Sequence, residues 1–282
     1  MIIADIHNHT EFSFDSEAPM EGQILSAIEK GMKYLCFTEH IDLYMPVPLE
    51  AVCRVQDDSI YRPALPAYMA KSHELADKYK DRITVFSGIE MGMLPKAFND
   101  YRSILKEYPF DFVLGSLHTV DDLDPYYETY WKKHPGSEGV ERYFSDLISY
   151  INEFNEFDSL AHLDYVIRYC RDENGNPVGR NYRYSDYGDY IDTILKWVIS
   201  HDKALEVNTA GFKYGLGNPN PRAEVLRRYR ELGGERITIG SDGHSADKLC
   251  FAFDKAEDLL ISLGFTYYEV FKGRKPFRLK LG

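Results

Sequence analysis

Cysteine is scarce in this chain. Its 282 residues hold four, Cys36, Cys53, Cys170 and Cys250. None falls in a C-x-x-C pair and the spacings are wide, which argues against a disulfide framework; free thiols in a reducing cytosol are the simpler reading. No apolar run approaches the roughly 18 residues of a membrane-spanning helix. The opening "MIIADIHNH" turns polar too early for a signal peptide. A cytoplasmic protein with no membrane partner is expected. Positive charge is also in deficit: 33 Lys and Arg stand against 45 Asp and Glu, a net charge of −12. An acidic surface repels nucleic acid and anionic lipid, so neither is an expected partner. A small anion can still bind where metals or local arginines reverse the field.

What is present points to a globular enzyme: 44% of residues are apolar and 28% charged, at a length that α/β barrels reach as one domain. Seven short apolar runs recur: "IIADIH" (2–7), "KYLCFTEH" (33–40), "ITVFSGIE" (83–90), "FDFVLGSLH" (110–118), "FDSLAHLD" (157–164), "ALEVNT" (204–209) and "RITIGSDGH" (236–244). Helical patterns lie between several of them. "MEGQILSAIEKG" sets Ile24, Ala27, Ile28 and Gly31 at helical spacing and stops on glycine. "YSDYGDYIDTILKWVISHDK" sets Ile191, Ile194, Leu195 and Val198 on one face, with Ser185 as its expected cap. "PRAEVLRRYRELGG" opens near Pro221, and a last helical pattern follows residue 244. Strands alternating with helices predict a parallel sheet with crossover helices. The tail "TYYEVFKGRKPFRLKL" predicts an appended hairpin at about 265–281. No linker or repeat divides the chain, so residues 1–282 are expected to form a single domain. The irregular segments 41–62, 119–139 and 170–184 are expected to be covering loops.

The polar residues sit at telling places. His7 and His9 end the first run, His40 the second, Glu90 the third and His118 the fourth. His162 ends the fifth, and Asp242 and His244 end the seventh. Asp15 follows the first run closely enough for a loop to fold it back. In a parallel barrel every strand C-terminus opens on one face, where active sites are built. Residues distant in sequence would therefore converge in one mouth. A single histidine at a strand end is more often a hydrogen-bonded polar group than a ligand. Nine metal-capable residues at matching ends are a different matter. Six of the nine histidines belong to the set. With no thiolate among them, the donors are N and O, which suits zinc, manganese or iron. His73, His134 and His201 fall elsewhere and read as surface or structural. Asp5, Glu39 and Asp164 stand beside the ligands, either to orient imidazoles or to cap loops.

These residues carry a resemblance. "DIHNHTEFSFDS", "FTEH", "GIEMG", "GSLHTV", "AHLDYVIRY", "LEVNTAG" and "GSDGH" resemble, in order, the motifs of the PHP (polymerase and histidinol phosphatase) family. The likeness spans residues 5 to 244. It implies a distorted (β/α)7 TIM-like barrel with the metal site at the strand C-terminal face and, typically, three metals. Carried over, His7, His9, Glu90 and Asp242 would hold one ion. Glu90 would bridge to a second, bound also by His118 and His162. Asp15, His40 and His244 would hold the third; some relatives have histidine at the position of Asp15. Two to three divalent ions (Zn, Mn or Fe) are expected. "SLHTVD", "AHLDYVIRY" and "NTAG" look like the branch that hydrolyses histidinol phosphate, a cytosolic activity late in histidine biosynthesis.

Several cations in one pocket suit phosphomonoester hydrolysis, because they ionise water and neutralise phosphoryl charge. His244 or Asp242 is the expected proton carrier to the leaving oxygen. Arginine forks match phosphate oxygens. Arg168 is the first candidate to clamp the phosphate and Arg222 the second, with Lys213 and Arg180 behind them. Three alternatives stay open: a phosphatase of another small phosphomonoester, a nucleic-acid phosphoesterase of the same family, and a metal-binding regulator without catalysis. The −12 charge and the lack of a basic stripe count against the second. The complete ligand set counts against the third. Oligomeric state is not legible.

Overall fold

The structure, a computed structural model, describes residues 1–45 and 63–282. Seven strands form one parallel sheet in chain order: β1 (Ala4–Asp5), β2 (Tyr34–Ile41), β3 (Thr84–Gly92), β4 (Phe112–Ser116), β5 (Ser159–Leu160), β6 (Ala204–Asn208) and β7 (Ile237–Gly240). Past β1 the chain stays extended and turns to β7. The Ile6 amide donates to the Ile239 carbonyl, the Asp242 amide to His7 and the His9 amide to Gly243. Those bonds bring the first and last strands together, so the sheet curls into a nearly closed barrel. Strands buried on both faces read as unbroken apolar runs, which is why all seven are visible in the sequence. The expected (β/α)7 barrel is the fold.

Among the described residues, eight α-helices complete it: α1 (Met20–Glu29), α2 (Leu65–Tyr79), α3 (Phe98–Glu107), α4 (Glu128–Lys133), α5 (Ser137–Glu153), α6 (Gly188–Ser200), α7 (Ala223–Glu231) and α8 (Phe253–Ser262). The barrel is uneven. β2 and β3 pair over eight positions, while β1 and β5 are two residues each. Two buried tyrosines clamp the long pair from outside. The Tyr68 hydroxyl on α2 lies 3.0 Å from the Phe37 carbonyl and 2.8 Å from that of Gly88. The Tyr101 hydroxyl on α3 lies 3.1 Å from the Ile41 carbonyl and 2.7 Å from that of Gly92, and accepts the Leu43 amide at 3.1 Å. The second clamp grips the strand ends that carry His40 and Glu90.

Local expectations met mixed outcomes. Ser185 does not cap a helix; it lies in a short turn, Tyr184–Asp186, and α6 begins at Gly188. The turn is held apart from the helix, with the Asp186 carboxylate accepting the Arg183 amide and the Glu224 carboxylate that of Tyr184. Segment 119–139 is not all loop, since it holds α4 and the start of α5. Of segment 41–62, only residues up to 45 and not Cys53 lie within the described residues.

The tail forms the expected hairpin, β8 (Tyr267–Lys272) with β9 (Lys275–Lys280), turning on Gly273 and Arg274 with φ of 55° and 63°. Two positive φ values match the twist of paired strands. Phe271 stacks on Phe112, Phe277 meets Tyr34 and Phe86, and the Tyr268 hydroxyl accepts the Ile3 amide at 2.9 Å. All four partners lie at or near strand beginnings. The hairpin therefore plugs the barrel floor and leaves the opposite end open.

Tyr101→Phe should destabilise the protein by about 1–3 kcal/mol, since it strips a buried hydroxyl from three backbone groups. Urea unfolding measures this, and an unchanged midpoint would show that the clamp contributes nothing.

Candidate metal centre

The open end gathers all nine predicted ligands. His40 and Glu90 are still within β2 and β3; His118 and His162 lie two residues past β4 and β5; Asp242 and His244 lie just past β7. The extended stretch after β1 aims His7 and His9 the same way, with their Nε2 atoms 3.0 Å apart. Asp242 holds φ at 53°, a left-handed turn that asparagine and aspartate tolerate best, and so swings its carboxylate back over the barrel.

Glu90 lies at the centre, 1% exposed. Its two oxygens face different halves of the cluster. Oε2 has His7 Nε2 at 3.2 Å, His9 Nε2 at 3.4 Å and His40 Nδ1 at 3.1 Å. Oε1 has His118 Nε2 at 3.2 Å and His162 Nε2 at 2.8 Å, and accepts the Ser116 hydroxyl at 2.6 Å. Asp242 Oδ1 closes the first half, 3.8 Å from His7 and 3.6 Å from His9. At the rim, Asp15 Oδ2 is 3.0 Å from His244 Nε2 and 3.5 Å from His40 Nε2.

Three sets of donors lie close enough to share an ion: His7, His9 and Asp242; His40, Glu90 and His118; His9, His40 and His244. The first falls within the expected first site. The second has His40 in place of His162, and the third has His9 in place of Asp15. A cation fits this geometry. Glu90 Oε2 is buried and ringed by three imidazole nitrogens, yet takes a hydrogen bond from none, and His162 Nδ1 is likewise buried and unpartnered.

Electrostatics agree. Burial is the largest influence on Glu90 and Asp242 and would raise both, but neighbouring imidazoles, joined at Asp242 by the Arg168 guanidinium, hold each carboxyl well below the usual range. Burial likewise opposes the charged form of the histidines, yet carboxylates push His7 and His40 well up and His118 to about 10. His9 goes the other way: burial, then the charges of His40 and His244, hold it neutral, the form that binds metal.

Sequence reasoning missed the groups behind the ligands. Glu206 in β6 holds His7 Nδ1 at 2.5 Å, and its other oxygen takes the His162 amide at 2.8 Å. Asp42 holds His118 Nδ1 at 2.8 Å. Such carboxylates fix ring orientation and tautomer. Both left a signal: a buried acid inside an apolar strand, and an acid two residues past His40. Gly92 makes room for Asp42, since a Cβ there would stand 1.8 Å from its Oδ1. Asp5, Glu39 and Asp164 hold loops instead. Asp5 binds Ser241 and the Cys250 amide, Glu39 binds Thr10 and Ser13, and Asp164 binds Asn220 and the Arg222 amide. Only Glu39 reaches a ligand, through Ser13 to His9 Nδ1. His73 lies on α2, His134 follows α4, and His201 stacks on Trp197 beyond α6.

A cavity of about 590 Å³ opens over the cluster. Arg168 and Lys213 line it. Arg168 is tied on three sides, by Nε to Asn220 and by its terminal nitrogens to Asp242 and Asn208. The Lys213 ammonium rests on the Ser241 and Asp242 carbonyls, and burial lowers its pKa. Arg222 and Arg180 are not brought to this cavity; they border a much smaller one with Tyr182 and Asp164.

Comparison with known proteins places this geometry. The PHP domain family model matches residues 5–210. A probable histidinol-phosphatase of Clostridium acetobutylicum is 35% identical, over 90% of this chain and 91% of its own. A histidinol-phosphatase of Lactococcus lactis subsp. lactis is 30% identical, over 96% of this chain and 95% of its own. The crystal structure of a histidinol phosphate phosphatase from the same organism, complexed with zinc, L-histidinol and phosphate, superposes with a TM-score of 0.85 at 28% identity, covering 97% of this chain and 98% of that one.

Glu90→Ala should strip metal with the fold retained, while His73→Ala should leave metal content unchanged. Elemental analysis beside circular dichroism decides; equal loss in both would mean that the cluster is not the metal site. Gly92→Ala should displace Asp42 and weaken metal binding about ten- to a hundredfold, the usual cost of removing such an outer carboxylate. Zinc titration against a competing chelator reads it, and parent-like affinity would mean that Asp42 does not tune His118.

Proposed function

The chain belongs to the PHP domain family, and from that membership we propose that it hydrolyses L-histidinol phosphate to L-histidinol and phosphate in a metal-dependent reaction. The observation that carries this reading is Glu90, whose two oxygens serve two halves of a histidine cluster on the wall of a substrate-sized cavity. Two to three divalent ions, zinc, manganese or iron, would be held by His7, His9, Glu90 and Asp242; by Glu90, His118 and His162; and by Asp15, His40 and His244. Ions there supply the Lewis acidity that ionises water at neutral pH and screens phosphoryl charge.

The protein's own residues do the rest. Glu206, Asp42 and Arg168 hold His7, His118 and Asp242 in place, so the cluster needs little rearrangement when substrate arrives. Lys213 faces the cavity as a point charge for phosphate, and Arg168 presents the N–H groups left over from its three bonds. Arg222 and Arg180, bordering the other cavity, support the loop around Asp164 and Tyr182. Asp242 and His244 line the cavity and are the groups placed to pass a proton to the leaving oxygen. The net charge of −12 favours a small substrate that enters the cavity over nucleic acid docked on the surface. Among the described residues, no helix is long and apolar enough to cross a membrane.

Phosphate release from L-histidinol phosphate, measured with zinc, manganese and iron in turn, tests the activity; no turnover with any of them would overturn it. Elemental analysis of protein purified without chelator should find two to three ions per chain. Lys213→Ala should weaken inhibition by inorganic phosphate about tenfold or more, since a hydrogen bond to a charged group is worth roughly 1.5–3 kcal/mol, with metal content unchanged. Arg168→Ala should lose metal as well, because it frees Asp242. If it keeps full metal content, Arg168 serves the substrate alone.

A further inference from the structure

The cavity is far larger than phosphate requires, and its walls differ in chemistry. One is the metal-capable cluster with Arg168 and Lys213. The other, built from the loop after β4, the turn after β5 and the loop after β6, carries Asp124 among Tyr126, Tyr165, Tyr169 and Tyr214. The four rings form a continuous chain. Tyr169 lies 5.2 Å from Tyr126, 5.3 Å from Tyr165 and 5.5 Å from Tyr214. Tyr126 and Tyr214 remain 56% and 44% exposed, so aromatic surface stands free at the mouth.

Asp124 is set into this wall in an unusual state. Its Oδ1 accepts the Tyr126 amide at 2.8 Å and the Tyr165 hydroxyl at 3.3 Å. Among the described residues, its Oδ2 has no hydrogen-bond partner and Asp124 makes no ion pair. A half-buried carboxylate with no cation beside it favours the arrival of one from outside. Burial shows the same deficit, lifting this carboxyl to about 6. The Tyr165 ring stands 5.1 Å from the His162 ring and 5.6 Å from that of His118, while its hydroxyl reaches Asp124. Asp124 is therefore spaced from the cluster by the length of one tyrosine. A phosphate on the cluster would leave a short chain of carbons to reach it.

We infer that Asp124 selects the leaving group: its free oxygen receives an ammonium carried by the alcohol half of the substrate, while the tyrosine faces receive that half's unsaturated ring. Tyrosine rings attract cations and stack on flat heterocycles, and the carboxylate adds a charge-assisted hydrogen bond. The inference rests on the phosphatase reading above, and it makes Asp124 a specificity residue that takes no part in bond cleavage. Phosphate binds at one end of the cavity, and the cation at the other decides which ester fits.

The test compares two alkyl esters of similar length, L-histidinol phosphate and phenylpropyl phosphate, which lacks the ammonium. Asp124→Asn keeps the acceptor for Tyr126 and Tyr165 but removes the charge. It should lower kcat/KM for L-histidinol phosphate roughly tenfold or more, through KM, and weaken inhibition by L-histidinol by a like factor. Turnover of phenylpropyl phosphate and metal content should stay near the parent's. Asp124→Glu, which keeps the charge, should restore part of the L-histidinol inhibition. Equal losses on both esters, or unchanged inhibition by L-histidinol, would overturn the inference. Should Asp124→Asn fail to fold, Tyr126→Ala at the exposed rim must weaken L-histidinol binding, or the wall is not a recognition surface. If the parent cleaves other phosphomonoesters but not L-histidinol phosphate, the substrate reading fails first. The role of Asp124 then stands only if the parent prefers ammonium-bearing esters over neutral ones and the variant does not. If no ester is cleaved, calorimetric binding of L-histidinol to parent and variant decides it, and equal affinity refutes it.

Discussion

One buried carboxylate governs this molecule. Five imidazole nitrogens lie within 3.4 Å of the Glu90 oxygens. A lone carboxylate so deep would be strongly destabilising. Here it is surrounded by groups that take positive charge or donate hydrogen bonds to it. Its position is set by the best-braced part of the barrel. β3 pairs with β2 over eight residues, and Tyr68 and Tyr101 pin both strands to flanking helices. The short strands lead to candidate ligands too, but those are steered by side chains instead of by long ladders. His7 depends on Glu206, and Asp242 on Arg168.

That division explains what could be read beforehand. The seven runs were visible because parallel strands are buried on both faces, and the candidate ligands were visible because all but Asp15 sit where a run ends. Direction of approach was harder. β1 proved to be two residues long, and His7 and His9 reach the cluster on extended chain that bonds alternately to β7 and β2. A sequence shows that Glu206 is an acid in an apolar strand; only three dimensions show which imidazole it meets. Loop arginines are the least legible of all. Arg168 and Arg222 look alike on paper, yet one lies against Asp242 in the cavity and the other behind Asp164. Ser185 shows the local version: its own turn captured the backbone before the helix began.

The two ends of the barrel have separate tasks. The hairpin closes the floor with aromatic packing, while the mouth stays open. Loops at the mouth can therefore vary in sequence without touching the packing that holds the barrel shut. Asp124 and its tyrosines lie on such elements.

The contact between Ile3 and Tyr268 joins residues 265 positions apart, and the cluster itself needs His7 from just past the first strand and Asp242 from just past the seventh. Vectorial synthesis delivers these partners at opposite times. A nascent chain must hold its first strand ready, both ends unsatisfied, until nearly everything else has emerged from the ribosome. Such long-range closure is slow and exposes strand edges in the interval. The metal-capable cluster thus comes into being only once the seventh strand is in place, so that a copy truncated before it lacks the site.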